Sequence, residues 1–548
     1  MGVIGPHPNP TYAARDLAFF ALAALLLLPS VWSPCSITGQ DEYYLSFRTV
    51  LEMQERGEWL TPYVNGAVRL QKPPLLYWLM RASFLTFGSN LFAARVWAVL
   101  FGAGMALFTA KLARRYRGGG SGYLAGAFVL GAAGVMIDAR RAMFDLPVGC
   151  LCTAAVYFSV TWHADGRLRR ALLAGGLLAA ASMTKGPVAL WFYGAPLLAA
   201  ACVRRGRANG PWWHWLVASA AFFALALPWP LWAQSAHPEF WDVMQAQAEQ
   251  REFGLPPAER PLKLLAAAIG LIVPWSVAVL AALLNALRGK SPSDSPARWL
   301  TLWVLIGLLP FLFMKTFERY MIALVCPMAT LCALWLARCS DRTLRAHATI
   351  ATCLAGLPVV VFALFAVWFG LAYVAPLATL GLLLMTWKVA RRDRPDLPLA
   401  ATMTAALLSA LLGLVYPSLG INALPPDLPK ELQTAEVRTF ARPQPGMLSI
   451  ALGRSVQEFD GRDARLAERL AAYDGFLFVL DRDVARVERA ARDRGVPVER
   501  VLEFRSFYSR KAWLKFFKEG AQWAEWQAAL LERSPEPLKP RFVCLRIG

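Results

Sequence analysis

Apolar stretches long enough to cross a lipid bilayer recur along most of this 548-residue chain. A helix of about 20 apolar residues spans the hydrocarbon core and satisfies its own backbone groups there without water. The composition agrees, since 57% of the residues are hydrophobic and 17% are charged. We therefore predict a polytopic α-helical membrane protein with about thirteen spanning helices, near residues 15–32, 91–110, 121–137, 146–162, 171–184, 187–203, 213–234, 263–286, 298–314, 320–337, 347–369, 371–387 and 398–417.

Short clusters of Lys and Arg occupy alternate connections between these stretches. They are KLARRYR (111–117), RLRR (167–170), RRGR (204–207), RGK (288–290), RCSDRTLR (338–345) and KVARRDR (388–394). Because basic loops stay on the cytoplasmic side, the pattern predicts a multi-pass protein with a cytoplasmic N-terminus, in the bacterial inner membrane if the host is Gram-negative. It also accounts for the net charge of +20 without a nucleic-acid partner. The first apolar segment precedes SVWSPCS, a poor cleavage site, and is predicted to remain as an anchor.

The other connections are predicted to face the periplasm, together with everything after residue 417. We expect a transmembrane domain over 1–417, with 33–90 as a first periplasmic loop carrying juxtamembrane helices and 235–262 as a second large loop. Within 418–548, the segments MLSIAL, GFLFVL, VERVLEF and RFVCLRI are typical of strands and alternate with polar helical stretches. This alternation predicts a periplasmic α/β domain.

Ionisable residues are rare inside the apolar stretches and collect at their predicted outer ends. This distribution disfavours an ion pathway through the membrane and suits the anionic headgroup of a lipid whose tail stays in the bilayer. The candidate catalytic residues are Asp41 and Asp145, and the candidate substrate-binding residues are Glu42, Arg48, Tyr63, Arg69, Lys72, Arg141, Lys185, Glu249, Arg251, Lys315, Arg319 and Tyr320.

Simpler roles remain open for several of these residues. Asp41 precedes an amphipathic stretch and Asp145 begins a span, so either carboxylate could cap a helix. Isolated Lys or Arg residues could anchor phospholipid headgroups. Lys72, before Pro73-Pro74, and Lys185, in MTKG, lie at breaks before apolar helices, where an interfacial ammonium favours an anionic partner.

Cysteine and histidine give little support for a disulfide framework or a metal centre. The nine Cys residues form no CxxC pair, and whether Cys35 and Cys544 form a disulfide in an oxidising compartment stays open. Of the five His residues, only His237 is predicted to lie outside. We predict no cofactor and no metal site, although carboxylates could still hold a divalent ion.

Several motifs, taken in order, resemble those of the aminoarabinose lipid A transferases and the protein O-mannosyltransferases, which are integral membrane glycosyltransferases of the GT-C type. They are DE, GEWLTPYVNGAVRLQKPPLLYWL, MFDLPVG, MTKG, LPWPLWAQSAHPEFW and ERYMIALVCPMATL, over roughly residues 10–340. The resemblance implies an outer-face cavity for a polyprenyl-phosphate sugar. It places the two acids of the family on Asp41 and Asp145, its lysines on Lys72 and Lys185, and its late-loop tyrosine on Tyr320.

The chain departs from the aminoarabinose type at Tyr44, where relatives commonly have Arg, and at Gln71, where they commonly have Glu. It also lacks their His near Glu249. We predict metal-independent, inverting transfer from an undecaprenyl-phosphate carrier, by a monomer among membrane lipids. We expect 4-amino-4-deoxy-L-arabinose to be moved to lipid A or another envelope glycan, with a protein or polysaccharide acceptor, or a lipid-linked sugar flippase, as open alternatives. Lys72 and Lys185 would neutralise the carrier phosphate, and Asp41 would act as base for a hydroxyl acceptor.

Overall fold

The computed structural model describes residues 10–37, 42–117, 119–203, 209–251, 253–289, 295–441, 448–461, 465–509 and 514–548. This part of the chain is mostly helical, with a sheet near the C-terminus. The α-helices are α1 (Pro10–Leu27), α2 (Arg48–Glu55), α3 (Leu75–Phe87), α4 (Leu91–Arg117), α5 (Gly119–Leu130), α6 (Ala133–Asp138), α7 (Asp145–Asp165), α8 (Leu168–Lys185), α9 (Val188–Ala201), α10 (Trp213–Ala226), α11 (Pro228–Ala236), α12 (Phe240–Glu249), α13 (Arg260–Leu271), α14 (Ser276–Arg288), α15 (Pro296–Leu312), α16 (Val325–Leu336), α17 (Asp341–Trp368), α18 (Val374–Ala390), α19 (Leu397–Ala410), α20 (Leu448–Leu452), α21 (Leu466–Ala471), α22 (Asp481–Arg492) and α23 (Trp523–Glu532). Tighter or wider helical turns cover Tyr43–Phe47, Glu318–Leu324, Leu411–Val415, Pro417–Leu419, Lys430–Gln433 and Glu536–Leu538.

Membrane-length helices make up much of the bundle. Among the described residues, six segments are long and apolar enough to cross a bilayer: Leu91–Tyr116, Asp145–Asp165, Trp213–Ala236, Glu318–Leu336, Asp341–Trp368 and Leu397–Leu419. Five shorter apolar helices of 10–17 residues accompany them. These helices support a multi-pass membrane protein, while the count of thirteen spans and the orientation of the termini stay predictions.

One helical hairpin positions much of the site. Gly166 ends α7 in the left-handed conformation (φ 67°) that glycine adopts without strain, and α8 follows directly in the opposite direction. A second glycine, Gly186 (φ 80°), ends α8. Because the two helices are antiparallel and of similar length, the first residue of α7, Asp145, lies beside the last residue of α8, Lys185.

The loop after α1 has its own small hairpin. The strands β1 (Tyr63–Val64) and β2 (Ala67–Val68) pair antiparallel across Asn65-Gly66, both at positive φ, as a type I′ turn requires. The Glu52 carboxylate on α2 accepts from the backbone nitrogens of Asn65 and Gly66 at 2.7 and 2.9 Å. This buried carboxylate therefore fixes the hairpin against α2.

The C-terminal sheet has five strands in the order β4-β3-β5-β7-β6. They are β3 (Val437–Phe440), β4 (Gln457–Phe459), β5 (Gly475–Leu480), β6 (Val498–Arg505) and β7 (Arg541–Ile547). β3 runs parallel to β4 and β5, whereas β7 is antiparallel to β5 and β6. Apolar side chains cover both faces, as in a sheet packed between layers.

Three of these strands, β5, β6 and β7, were predicted from the sequence, and one further predicted strand is wrong. The segment predicted as the strand MLSIAL forms the helix α20 over Leu448–Leu452, because a five-residue apolar run does not distinguish helix from strand by period. β3 and β4 were missed, since both are only three or four residues long.

The C-terminal region packs directly on the first loop and on the membrane bundle. Ser455 donates from its backbone nitrogen and its hydroxyl to the Glu55 carboxylate, at 2.6 Å each. Phe507, Phe516 and Phe517 pack against Phe365 in the last turn of α17. The sheet region is thus held at one end of the bundle by polar and aromatic contacts. Cys35 and Cys544 are free thiols, with Cys544 buried in β7.

Candidate functional site

The centre of the site is a carboxylate between two cations. Asp145 is the first residue of α7, where the positive end of the helix dipole favours a carboxylate. Its Oδ1 contacts Lys185 Nζ, and its Oδ2 lies 3.6 Å from Arg319 Nε. Only 3% of the Asp145 side chain is exposed. The carboxylate therefore binds side chains rather than capping α7, whose N-cap residue is Phe144.

An aromatic ring organises the cations around this carboxylate. Tyr320 lies at the start of the turn Glu318–Leu324, and Lys185 Nζ lies 4.0 Å from its ring centre. The Arg251 and Arg319 guanidinium groups lie 5.0 and 5.7 Å from the same centre. Arg251 Nη1 also donates to the tyrosine hydroxyl at 3.0 Å. Cation–π contacts of this kind hold positive charges close together at a partly desolvated position.

Lys72 completes the arrangement from the other side. It lies in the irregular segment before α3, where Pro73-Pro74 prevents the helix from starting earlier. The orientation of the Gln247 amide that satisfies both of its ends places its oxygen 2.7 Å from Lys72 Nζ and its nitrogen 3.0 Å from the Gln71 carbonyl oxygen. Burial lowers the pKa of Lys72 to about 7, helped by the positive charges of Lys185, Arg251 and Arg69.

We call these residues the phosphate cluster: Lys72, Asp145, Lys185, Arg251, Arg319 and Tyr320. Its charged members are four cations, Lys72, Lys185, Arg251 and Arg319, and one carboxylate, Asp145. The cluster therefore carries more positive than negative charge in a partly buried place. Such a place favours a bound anion, most of all one with several oxygen acceptors.

Four other predicted residues of the first loop lie outside this cluster. Glu42 forms a two-pronged ion pair with Arg95, and its Oε1 accepts from the Ala142 backbone nitrogen at 2.9 Å. Arg48, fully buried, binds Glu52 Oε1 at 2.7 Å and Gln457 Oε1 at 2.8 Å. The remaining two are Arg69, which donates to the Tyr77 hydroxyl at 3.3 Å, and Tyr63, whose ring centre lies 4.3 Å from the Arg56 guanidinium.

Three further predicted residues border the cluster. Arg141 Nη1 lies 3.6 Å from Asp138 Oδ1. Glu249 is exposed and accepts from Gln245 Nε2 at 3.0 Å. Lys315 is exposed, and its backbone nitrogen donates to the Arg251 carbonyl oxygen at 2.8 Å, which fixes the backbone beside the Arg251 side chain. The predicted base, Asp41, lies outside the described residues, so its role stays a prediction.

Asp138 is a site residue that sequence reasoning missed. It ends the short helix α6, is 3% exposed, and its Oδ2 has no hydrogen-bond partner among the described residues. Burial raises its pKa to about 6, against the lowering effect of Arg141 and with a further raising effect of Asp145. Asp138 therefore lies electrostatically within reach of the phosphate cluster.

The predicted absence of a metal site stays untested. Within the described ranges, no group of three or more His, Cys, Asp or Glu side chains is close enough to hold an ion. The groups that do converge are mainly cationic, which suits an anionic ligand.

Parts of the chain are similar in sequence to known proteins. Residues 71–232 match the family model described as dolichyl-phosphate-mannose-protein mannosyltransferase. An undecaprenyl phosphate-alpha-4-amino-4-deoxy-L-arabinose arabinosyl transferase of Yersinia enterocolitica is 27% identical over 60% of this chain and 60% of that relative. The transferase of the same description from Pseudomonas aeruginosa (strain LESB58) is 28% identical over 50% and 51%. The chain thus spans 51–60% of the length of these two curated relatives.

A solved structure shows the same fold. ArnT from Cupriavidus metallidurans, in its crystal structure bound to undecaprenyl phosphate, superimposes with a TM-score of 0.70 at 17% identity, over 96% of this chain and 97% of that one. The chain therefore has the same fold as this structure. Its resemblance to the aminoarabinose transferases and protein mannosyltransferases, predicted from the sequence, is confirmed.

Proposed function

We propose that this chain is a glycosyltransferase that moves a sugar from undecaprenyl phosphate to lipid A or another envelope glycan at the periplasmic face of the inner membrane. The first choice of sugar is 4-amino-4-deoxy-L-arabinose. The observation that carries the proposal is the excess of positive charge in the phosphate cluster, where four cations and one carboxylate lie together beside apolar helices. A lipid-linked phosphate supplies the anion that this place lacks, while its prenyl chain remains among the helices.

The reaction follows from that placement. The bond between the anomeric carbon and the carrier phosphate oxygen breaks, and a bond from the acceptor oxygen to the same carbon forms on the opposite face, which inverts the centre. Lys72, Lys185 and Arg251 stabilise the negative charge that stays on the departing phosphate. Asp145 holds Lys185 and Arg319 in position for that task. Where the acceptor is a hydroxyl, Asp41 takes its proton; a phosphate acceptor needs no base.

The named relatives support the donor more than the sugar. The bacterial relatives are described as transferases from an undecaprenyl phosphate arabinose, and the ArnT structure is described as bound to undecaprenyl phosphate. The match over 71–232 to a protein mannosyltransferase family keeps a protein acceptor as the second candidate. Both versions use a lipid-linked sugar phosphate and the same cluster.

The test uses the full chain purified in lipid nanodiscs. Undecaprenyl-phosphate aminoarabinose and a mannosyl carrier are offered in turn with lipid A or a protein acceptor, and products are identified by mass spectrometry. We expect Lys72→Met to lower kcat/KM at least about a hundredfold, the scale of losing one charge-stabilising donor. The matched control is Lys263→Met, because Lys263 is 69% exposed and pairs with an exposed Glu259. Transfer by Lys72→Met at the control's rate would contradict the proposal.

A flippase would behave differently in the same preparation. It would move the lipid-linked sugar across the bilayer and release no glycosylated product from either acceptor. Cells carrying Asp41→Asn offer a separate check of the predicted base. Unchanged modification of lipid A in those cells would remove Asp41 from the mechanism without touching the role of Lys72.

A further inference from the structure

The C-terminal region contains a cleft of about 640 Å³ that the proposed transfer chemistry does not use. It lies between the end of β5, the end of β6 and the start of β7, with the segment 515–519 along one side. Its lining is rich in cations: Arg482, Arg505, Lys515, Lys518, Lys539 and Arg541.

Charge in this cleft is only partly compensated. Three acidic side chains share the lining with the six cations. Glu519 and Glu525 are already paired, with Arg482 at 2.9 Å and with Lys518 at 2.6 Å. In the part of the chain that the structure describes, neither Arg505 nor Lys515 forms a salt bridge with a carboxylate within 4.0 Å. Arg505 Nη1 donates to the Glu536 carbonyl oxygen at 2.9 Å, and Arg505 also interacts electrostatically with Glu525. These two side chains therefore offer positive charge to a ligand.

Aromatic side chains share the same lining. Tyr508 and Phe517 both face the cleft. Flat aromatic rings beside Arg and Lys match a sugar that carries an acidic group, because the ring covers the C–H face and the cations bind the anion. A purely apolar ligand would leave the charges without partners, and nothing in the lining specifies a nucleobase.

The cleft also lies next to the membrane bundle. The Phe517 ring is 5.7 Å from Phe365, in the last turn of α17, so the cleft borders the end of a membrane-length helix. Phe516, beside Phe517, lies 6.4 Å from the ring of Tyr416, in the membrane-length segment Leu397–Leu419. Contacts between aromatic rings thus connect the cleft to the ends of two membrane-length helices.

We propose that this cleft binds the acidic saccharide part of the acceptor glycolipid, a phosphorylated sugar, and holds that lipid beside the end of the membrane bundle. This proposal rests on the proposed function, because only that function makes the bound glycolipid an acceptor. Binding of the glycolipid can still be measured without any turnover. Arg505 and Lys515 contact the anionic group, and Tyr508 and Phe517 contact the sugar ring.

The test measures binding directly, with the full chain in nanodiscs. The probes are bis-phosphorylated lipid A and the same lipid after removal of both phosphates. We expect Arg505→Glu with Lys515→Glu to weaken binding of the phosphorylated probe about tenfold and to leave the dephosphorylated probe within about twofold. The control is Lys430→Glu, an exposed lysine of the same region outside the cleft, which should bind both probes as the unaltered protein does. Equal affinity of the double variant and the control for the phosphorylated probe would overturn the proposal.

Further arms separate the sources of any effect. Binding of undecaprenyl phosphate should be unchanged in the double variant, which shows that the variant is folded. Inorganic phosphate alone should compete poorly; competition as strong as that of the glycolipid would overturn the saccharide part of the proposal. If the double variant binds the phosphorylated probe more weakly than the control but the unaltered protein transfers no sugar, the proposed function fails and the cleft proposal stands. If it transfers sugar and the double variant does so with an unchanged acceptor KM, the function stands and the cleft fails.

Discussion

Two neighbouring groups of buried charged side chains differ in whether their positive and negative charges balance. Glu42 and Arg95 match two oxygens to two nitrogens, at 2.6 and 2.9 Å, and their side chains are 3% and 0% exposed. Arg95 also donates to the carbonyl oxygens of Val31 and Ser33. In the phosphate cluster, one carboxylate faces several cations.

This difference in charge balance indicates a structural role for the Glu42–Arg95 pair and a binding role for the phosphate cluster. A charge pair that is complete in itself needs no further partner, so Glu42 and Arg95 join the first loop, α4 and the segment before α7. A cluster with surplus cations is at its most stable only when an anion is added. The two groups are linked at Ala142, whose nitrogen binds Glu42 three residues before Asp145. The Glu42–Arg95 pair therefore helps to position the phosphate cluster, through the backbone at Ala142.

The largest expected effect comes from breaking the complete pair. Glu42→Ala leaves the Arg95 guanidinium buried without its carboxylate, which costs about 3–5 kcal/mol of stability. Unfolding followed in detergent should show that loss, and replacing both residues by Met should recover much of it. Glu259→Ala, which breaks an exposed pair, is the control and should change little. If Glu42→Ala unfolds like that control, the pair is not a structural anchor.

Next in size is the removal of the single carboxylate of the phosphate cluster. Asp145→Asn keeps the shape of the side chain but releases Lys185 and Arg319 from their charged partner. We expect sugar transfer to fall about a hundredfold, with a smaller loss of stability than in Glu42→Ala. Rate and unfolding measured on the same preparation check both parts. The exposed Asp427→Asn is the control, and equal effects of the two changes would remove the distinction between the two groups.

The helical part and the centre of the site could be predicted because their signals are local. Apolar length predicts spans, and Lys72, Asp145 and Lys185 each lie at a break beside an apolar helix. The predicted spans 146–162 and 171–184 correspond to α7 and α8, whose ends meet.

What the sequence could not show depends on distant contacts. Arg95 lies within a predicted span, and its partner Glu42 is 53 residues away, so neither residue indicates the pair by itself. Asp138 looks like an ordinary acid at a helix end, and only its burial distinguishes it. In the C-terminal region, α20 resembled a strand because tertiary packing decides the structure of a five-residue apolar run.

Asp138, which contacts Arg141 and is affected by the charge of Asp145, gives a third test. The fold raises the pKa of this carboxyl from 3.8 to about 6, so the ionised form is the less stable one in the folded protein. The penalty is complete above about pH 6 and disappears as the pH falls toward 4. Asp138→Asn should therefore raise the free energy of unfolding at about pH 8, by up to roughly 3 kcal/mol, and change it little at about pH 4. The unfolding temperature measured at the two pH values should show the same difference. If Asp138→Asn is less stable than the unaltered protein at about pH 8, Asp138 is instead needed in its charged form, as the partner of Arg141.

The smallest expected effect is the uptake of a proton by the phosphate cluster when a ligand binds. With a pKa of about 7 in the empty site, the Lys72 amine is mostly neutral above that pH, and a bound phosphate diester restores its charge. Affinity should therefore fall by up to about tenfold per pH unit as the pH rises above 7, with one proton taken up on binding. The ligand should be an undecaprenyl-phosphate sugar without an amine, whose own charge is constant in this range. Calorimetry in buffers of different ionisation enthalpy measures the proton, and Lys72→Arg should remove the slope because guanidinium stays charged. Affinity that is flat from about pH 7 to 9 in the unaltered protein would mean that Lys72 is already charge-compensated in the empty site.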